Sequence, residues 1–111
     1  MSEPLIVYQI DLELKPAIVD AYAAWLKEHV TEILALPGFL RAEVLEEPAR
    51  ATEDLRCFSV RFVLRDRDSL EHYLREHAPR LRNQGAALFE GAFSSSRRVY
   101  VVRQSHSPRI G

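Results

Sequence analysis

Residues 6–35 read IVYQIDLELKPAIVDAYAAWLKEHVTEILA. The first part of this stretch alternates in the manner of a β-strand, and its second part repeats apolar side chains every three or four residues. The face of the strand expected to meet the helices carries Ile6, Tyr8, Ile10, Leu12 and Leu14. Proline suits the first turn of a helix, because its missing N–H costs nothing there. The stretch therefore predicts a strand over 6–14 and an amphipathic helix over 16–35.

The rest of the chain repeats these two periods in a fixed order. Strand patterns cover 40–47, 55–64 and 97–103, and a second helical pattern covers 68–84. The order is βαββαβ, which predicts an α+β ferredoxin-like fold, a four-stranded antiparallel sheet with two helices on one face. We expect a single domain over residues 1–104 and a disordered tail over 105–111.

Local signals refine the second helix. Asp68 and Glu71 have the spacing of a capping box, so we expect Asp68 to cap the helix. Gly85 is expected to end it. Pro79 lies inside the apolar pattern, and because proline removes a backbone donor it should divide the helix.

The sheet face away from the helices predicts self-association. In the third strand Phe58, Val60 and Phe62 should face the helices. The other face mixes apolar and charged side chains: Val7, Gln9, Asp11, Glu43, Ser59, Arg61 and Val63, with Val99 and Val101 if the last strand presents them there. Two such faces packed together would bury the valines and pair the charges. We predict a homodimer through this face, as in a dimeric α+β barrel.

Composition excludes several classes. The net charge is −1, which disfavours nucleic-acid binding, and no apolar run approaches a membrane span. The single Cys57 cannot form an internal disulfide, and no phosphate-binding glycine loop is present. We expect a cytoplasmic protein without a cofactor.

A few residues are candidates for chemistry. Trp25 and His29 lie four apart on one helix face, and His77 lies on the apolar stripe of the second helix. We expect these three to border one cavity, with His29 or His77 as the catalytic proton donor or acceptor. Tyr73 would form a further wall with Trp25.

Two arginines are candidates for holding an anionic group of the ligand. Arg61 or Arg97 would supply that charge. No metal site is predicted, because His72 and His77, five apart on one helix, point in different directions.

Three functions remain open at this point. The chain is an enzyme or accessory protein for a small, partly apolar molecule (a monooxygenase, isomerase or cyclase), a non-catalytic ligand sensor, or a structural dimerisation module. A ligand-sized cavity with a histidine on its wall favours the first two. A filled core favours the third.

The chain also resembles a known family. The stretches that carry the resemblance are Trp25-Leu26, His29-Val30, Ile33-Leu34, Glu76-His77-Ala78-Pro79-Arg80-Leu81-Arg82, Phe89, Phe93 and Ser96-Arg97-Arg98. Over about residues 6–103 they resemble DUF4286, a family of small bacterial proteins of unassigned function. The resemblance implies a branch of the dimeric α+β barrel group, with the ligand between helices and sheet. It implies no catalytic residue, and with its only Trp on the first helix and its only Asn at position 83 the chain departs from the heme-degrading members.

Overall fold

The computed structural model describes residues 3–109, and it confirms the ferredoxin-like fold. The strands and helices, in chain order, are β1 Ile6–Leu14, α1 Val19–Leu34, β2 Phe39–Glu46, β3 Arg56–Leu64, α2 Arg67–Glu76, α3 Ala78–Phe89 and β4 Phe93–Val101. The sheet order is β2-β3-β1-β4, and every neighbouring pair is antiparallel. Across residues 3–109, no helix is long and apolar enough to cross a membrane.

The helix-facing side of the sheet forms the core. Tyr8 of β1 pairs directly with Phe62 of β3, and these residues are only 2% and 1% exposed. Val60 is buried on the same face, and Phe58 is half-buried. The predicted inward faces of both strands are therefore confirmed. Three helices lie on this side, with α1 packed on β2 and α2 packed on β1 and β3.

A tight turn connects α1 to β2. Pro37 follows the helix and Gly38 adopts a φ of +85°, which only glycine takes without strain. A Cβ at Gly38 would also overlap the Ser69 side chain, and the Gly38 carbonyl accepts a hydrogen bond from the Arg65 N–H at 2.8 Å. This glycine therefore fixes the approach of the turn to the start of α2.

The second helical region is two helices, as the position of Pro79 predicts. α2 ends at Glu76, His77 leaves helical geometry with φ −124° and ψ −38°, and Pro79 lies in the first turn of α3. The predicted end at Gly85 is wrong, because α3 continues to Phe89. Gly85 is instead buried inside α3, where its lack of a side chain admits a neighbouring ring.

The cap of α2 differs from the predicted one. Asp66, not Asp68, is the N-cap, and its carboxylate accepts hydrogen bonds from the Ser69 N–H at 2.8 Å and the Ser69 hydroxyl at 2.6 Å. Asp68 lies inside the first turn, where a negative charge still favours the helix N-terminus.

The position of β4 corrects the predicted open face. The strand covers 93–101 rather than 97–103, and Val99 pairs with Tyr8 and Val101 with Ile6. Directly paired residues share a face, so both valines lie on the helix side. Tyr100, paired with Val7, takes the open face instead. Residues 105–109 carry no helix or strand, and residues 110 and 111 of the predicted tail lie outside the described part of the chain.

Candidate functional site

A cavity of about 240 Å³ lies between α1, α3 and the strands β1 and β4. Most of its wall is apolar and aromatic. The residues with polar groups on this wall are Tyr8, Tyr22, His29, Tyr73, Arg82, Ser95 and Arg97, and Trp25 forms a large part of the α1 side. An apolar cavity with a few converging polar groups is typical of a small-molecule site. A ligand-sized cavity with a histidine on its wall favours the enzyme and sensor hypotheses over a purely structural module.

Trp25 and His29 form one stacked unit on this wall. Their ring centroids are 4.4 Å apart with an interplanar angle of 21°. The four-residue spacing on α1 places them one turn apart. Gly85 of α3 admits the indole, because a Cβ there would come within 2.9 Å of the Trp25 Cη2. The predicted pairing of Trp25 and His29 beside a cavity is thus what the structure contains.

His29 has an unusual electrostatic position. Its Nδ1 is buried and has no hydrogen-bond partner in the part of the chain that the structure describes. Burial lowers the pKa of the His29 imidazole; the charge of Glu32 opposes this shift and that of Arg80 adds to it. Arg80 and Glu32 form an ion pair at 3.2 Å between α3 and α1. The imidazole is therefore favoured in its neutral form, which accepts protons.

Three phenols also line the cavity, Tyr8 from β1, Tyr22 from α1 and Tyr73 from α2. Burial raises the pKa of Tyr22 to about 12 and that of Tyr73 to about 12, so both remain protonated at neutral pH. Tyr8 and Tyr73 meet edge to face with centroids 5.9 Å apart. The Tyr8 hydroxyl accepts a hydrogen bond of 3.0 Å from the Arg82 guanidinium. These hydroxyls and this guanidinium supply most of the cavity's hydrogen-bonding capacity.

Arg97 lies where the sequence predicts a ligand-binding charge. It pairs with Ile10 and therefore faces the helices, and its guanidinium donates to the Ser95 hydroxyl at 3.2 Å. Its positive charge also reaches the two buried phenols, where it partly offsets the effect of burial on the pKa of Tyr22 and Tyr73.

Two predicted site residues do not line this cavity. Arg61 pairs with Gln9 on the open sheet face and donates to the Gln9 side chain at 3.0 and 3.1 Å, so the sheet separates it from the cavity. His77 is at the α2–α3 break, and its ring lies 5.5 Å from that of His72. The helix break brings these two rings together, although five residues along an unbroken helix would have kept them apart. The prediction that His77 borders the same cavity as Trp25 and His29 is wrong.

Three site residues escape the sequence analysis. Tyr8 is predicted only on the helix-facing side of β1, and Tyr22 is not singled out from the sequence. A buried tyrosine needs a partner for its hydroxyl, and that need is the available signal. Arg82 has no local signal in the sequence, because the contact that places it, with the Tyr8 hydroxyl, joins positions 74 residues apart.

A second, more apolar groove of about 390 Å³ lies between α1, β1 and the neighbouring strands. Leu12, Tyr22 and Leu26 line both spaces and form the wall between them. The groove is larger but lacks the converging polar groups of the cavity, so we assign the candidate site to the cavity. Within residues 3–109, no cluster of three metal-ligating side chains occurs.

Comparison with known proteins identifies a family and a fold. A family model described as "Domain of unknown function (DUF4286)" matches residues 5–102. No functionally curated protein matches the chain.

Solved structures match over nearly the whole chain. SnoaB from Streptomyces nogalater, a cofactor-independent oxygenase, is 19% identical with a TM-score of 0.63, covering 92% of this chain and 96% of its own. A putative antibiotic biosynthesis monooxygenase from Bacillus cereus is 12% identical with a TM-score of 0.69, covering 95% and 99%. The designed protein Foldit4 also matches, at 17% identity and a TM-score of 0.60, covering 89% and 99%. At these identities the likeness establishes the fold alone, since a designed protein shares it with an oxygenase.

Proposed function

The chain belongs to the DUF4286 family, and we propose that it binds a small aromatic molecule in the cavity and removes a proton from it. The observation that carries this proposal is His29, which lines the cavity, stacks on Trp25 and has a buried Nδ1 without a hydrogen-bond partner among residues 3–109. A buried polar atom without a partner is costly, and a ligand O–H or acidic C–H would satisfy it.

The size of the cavity limits the ligand. A dry cavity of about 150 Å³ holds benzene, whereas drug-sized ligands take ~300–1,000 Å³. The cavity of about 240 Å³ lies between these values and fits a molecule of one or two rings. Trp25 lines the same cavity as the imidazole and adds aromatic surface to its wall, which favours an aromatic ligand.

The protonation state of His29 suits it to act as a base. Because burial lowers its pKa, the imidazole is neutral at neutral pH and carries one free lone pair. With the proton on Nε2, that lone pair is on Nδ1. The neighbouring phenols, whose pKa is raised to about 12, stay protonated and donate hydrogen bonds to the oxygen that becomes negative.

4-Nitrophenol is a direct probe of this function, since it has one ring, one acidic hydroxyl and a coloured phenolate. We expect calorimetry to show binding, and visible absorbance to show that the bound phenol ionises at a lower pH than the free one. His29→Gln should reduce this shift because the base is lost. His72→Gln, an exposed histidine outside the cavity, is the matched control and should leave the shift unchanged.

Two results would count against the proposal. An absence of binding at millimolar 4-nitrophenol would reject the cavity as an aromatic site. Binding with the same ionisation curve in wild type and His29→Gln would reject the proton transfer and favour a non-catalytic ligand sensor.

Oxygenation is the first reaction to test after deprotonation, because SnoaB, a cofactor-independent oxygenase, shares the fold. In such a reaction a ring CH₂ becomes C=O, O₂ supplies the carbonyl oxygen, and the second oxygen leaves as water. No outside reductant is needed. We expect oxygen uptake with 2-tetralone, a two-ring ketone with an acidic CH₂, to exceed the rate without protein and to fall in His29→Gln. Equal uptake with and without protein would remove oxygenation from the proposal.

We also propose that the protein self-associates through the open sheet face. Polar groups there already satisfy one another: Asp11 accepts from Ser59 at 2.6 Å and from Gln9 at 3.0 Å, and it lies 3.7 Å from Arg98. Such paired groups can be buried at lower cost than free ones. Tyr100, 43% exposed, adds aromatic surface to this face.

Strand alternation in β4 gives a matched test of the dimer. Tyr100→Glu should give the mass of one chain by light scattering, because it places a charge in the interface. Val99→Glu, at a residue 49% exposed on the opposite face, should leave the mass at two chains. A wild-type mass of one chain at micromolar concentration would contradict the proposal.

A further inference from the structure

We propose that the ligand is an aromatic carboxylate whose anionic group docks between Arg82 and Arg97 at the mouth of the cavity. The inference rests on the proposed function, since it assumes the aromatic site, and it adds the charge of the molecule that the site selects.

The cavity wall carries positive charge without negative charge. Arg82 and Arg97 both line it, and no aspartate or glutamate does. Within residues 3–109, neither guanidinium lies within ion-pair distance of a carboxylate. Six other arginines do form such pairs, namely Arg50, Arg56, Arg65, Arg75, Arg80 and Arg98.

Hydroxyl groups position both guanidiniums without neutralising them. Arg82 donates to the Tyr8 hydroxyl at 3.0 Å, and Arg97 donates to the Ser95 hydroxyl at 3.2 Å. A guanidinium has five N–H donors, so most of each fork is free for another acceptor. Arginine is always charged and matches the two oxygens of a carboxylate, which makes a carboxylate the acceptor that fits best.

The two charges also act on one place inside the molecule. Both arginines oppose the burial effect on the pKa of the Tyr73 hydroxyl, which lies on the cavity wall. Each arginine is exposed as a whole residue, so both lie where the cavity meets solvent. A ligand would therefore place its ring against Trp25 and its carboxylate at the opening.

Two ligands with the same ring system test the inference. We use isothermal calorimetry with 2-naphthoate and with 2-naphthalenemethanol, its neutral counterpart. We expect the wild-type protein to bind the acid at least ~10-fold more tightly, since hydrogen bonds to charged groups contribute about that factor or more. Added sodium chloride should weaken binding of the acid and leave that of the alcohol unchanged.

Variants then assign the preference to the two arginines. Arg82→Gln and Arg97→Gln should each lower the affinity for 2-naphthoate by about 10-fold and leave the alcohol unaffected. Tyr8→Phe keeps the ring but removes the hydroxyl that positions Arg82, so it should weaken acid binding by a smaller factor. Arg75→Gln, at an exposed residue of α2 paired with Glu76, is the charge-matched control and should change neither affinity.

The outcomes separate the two proposals. Equal affinity for acid and alcohol, with no effect of either arginine variant, overturns the carboxylate preference and leaves the aromatic site intact. Failure of both ligands to bind at millimolar concentration overturns the aromatic site as well.

Discussion

Replacing Phe62 by alanine is the most severe test of the claim that this face of β3 forms the centre of the core. Phe62 is 1% exposed, and its ring contacts Phe39 edge to face at 5.5 Å and Tyr8 at 6.5 Å. A buried phenylalanine removes roughly 200 Å² from water, which at about 25 cal/mol/Å² corresponds to ~5 kcal/mol. Measured Phe→Ala substitutions in cores cost ~3–5 kcal/mol.

The assay is thermal unfolding followed by circular dichroism. For a chain of this size each kcal/mol lowers the melting temperature by roughly 4 °C, so we expect a fall of roughly 12–20 °C. Leu88→Ala is the matched control, because Leu88 is 63% exposed and its loss should change stability by less than ~0.5 kcal/mol. Equal melting temperatures in the two variants would refute the assignment of the strand faces.

Three further predictions concern local features. Gly38→Ala should lower the melting temperature more than Gly91→Ala. Both glycines have positive φ, but only at Gly38 would the new Cβ overlap a neighbour, the Ser69 side chain. Equal falls in melting temperature would show that the overlap with Ser69 does not contribute. Asp66→Ala should destabilise the protein at pH 7 by removing the cap of α2. Hydrogen bonds from Ser69 lower the pKa of Asp66, so the stabilisation present at neutral pH should be lost progressively as pH falls below the ordinary value of 3.8. The difference in denaturant midpoint between wild type and variant should therefore be smaller at pH 3 than at pH 7, and an equal difference at both pH values would contradict the role of the Asp66 charge. Burial lowers the pKa of His29, so below pH 6.5 the unfolded chain binds a proton at this imidazole more readily than the folded chain does. The wild type should therefore lose more stability than His29→Gln between pH 7 and pH 5. Identical losses in denaturant titrations would refute this.

Hydrophobic periods were sufficient to predict the fold. The faces of β1 and β3 follow from strict alternation, and the division of the second helix follows from the backbone chemistry of Pro79. The face of β4 was not predictable, since Val99 and Tyr100 are both apolar enough to lie on either side. Pairing with β1 decides it, and pairing is a tertiary property.

The candidate site was only partly within reach of the sequence. Trp25 and His29 are one helical turn apart, so local geometry alone places them together. The contact between Arg82 and Tyr8 joins positions 74 residues apart, and no local period encodes it. The misplacement of Arg61 has a different origin, because the alternation of β3 already places this residue on the open sheet face, away from the helices and the cavity.

The most direct test of the central claim is a crystal structure of the protein grown with 2-naphthoate. We expect electron density for the two-ring system against Trp25 and His29, with the carboxylate within hydrogen-bonding distance of Arg82 or Arg97. An empty cavity at saturating ligand, or naphthoate bound only elsewhere on the molecule, would contradict it.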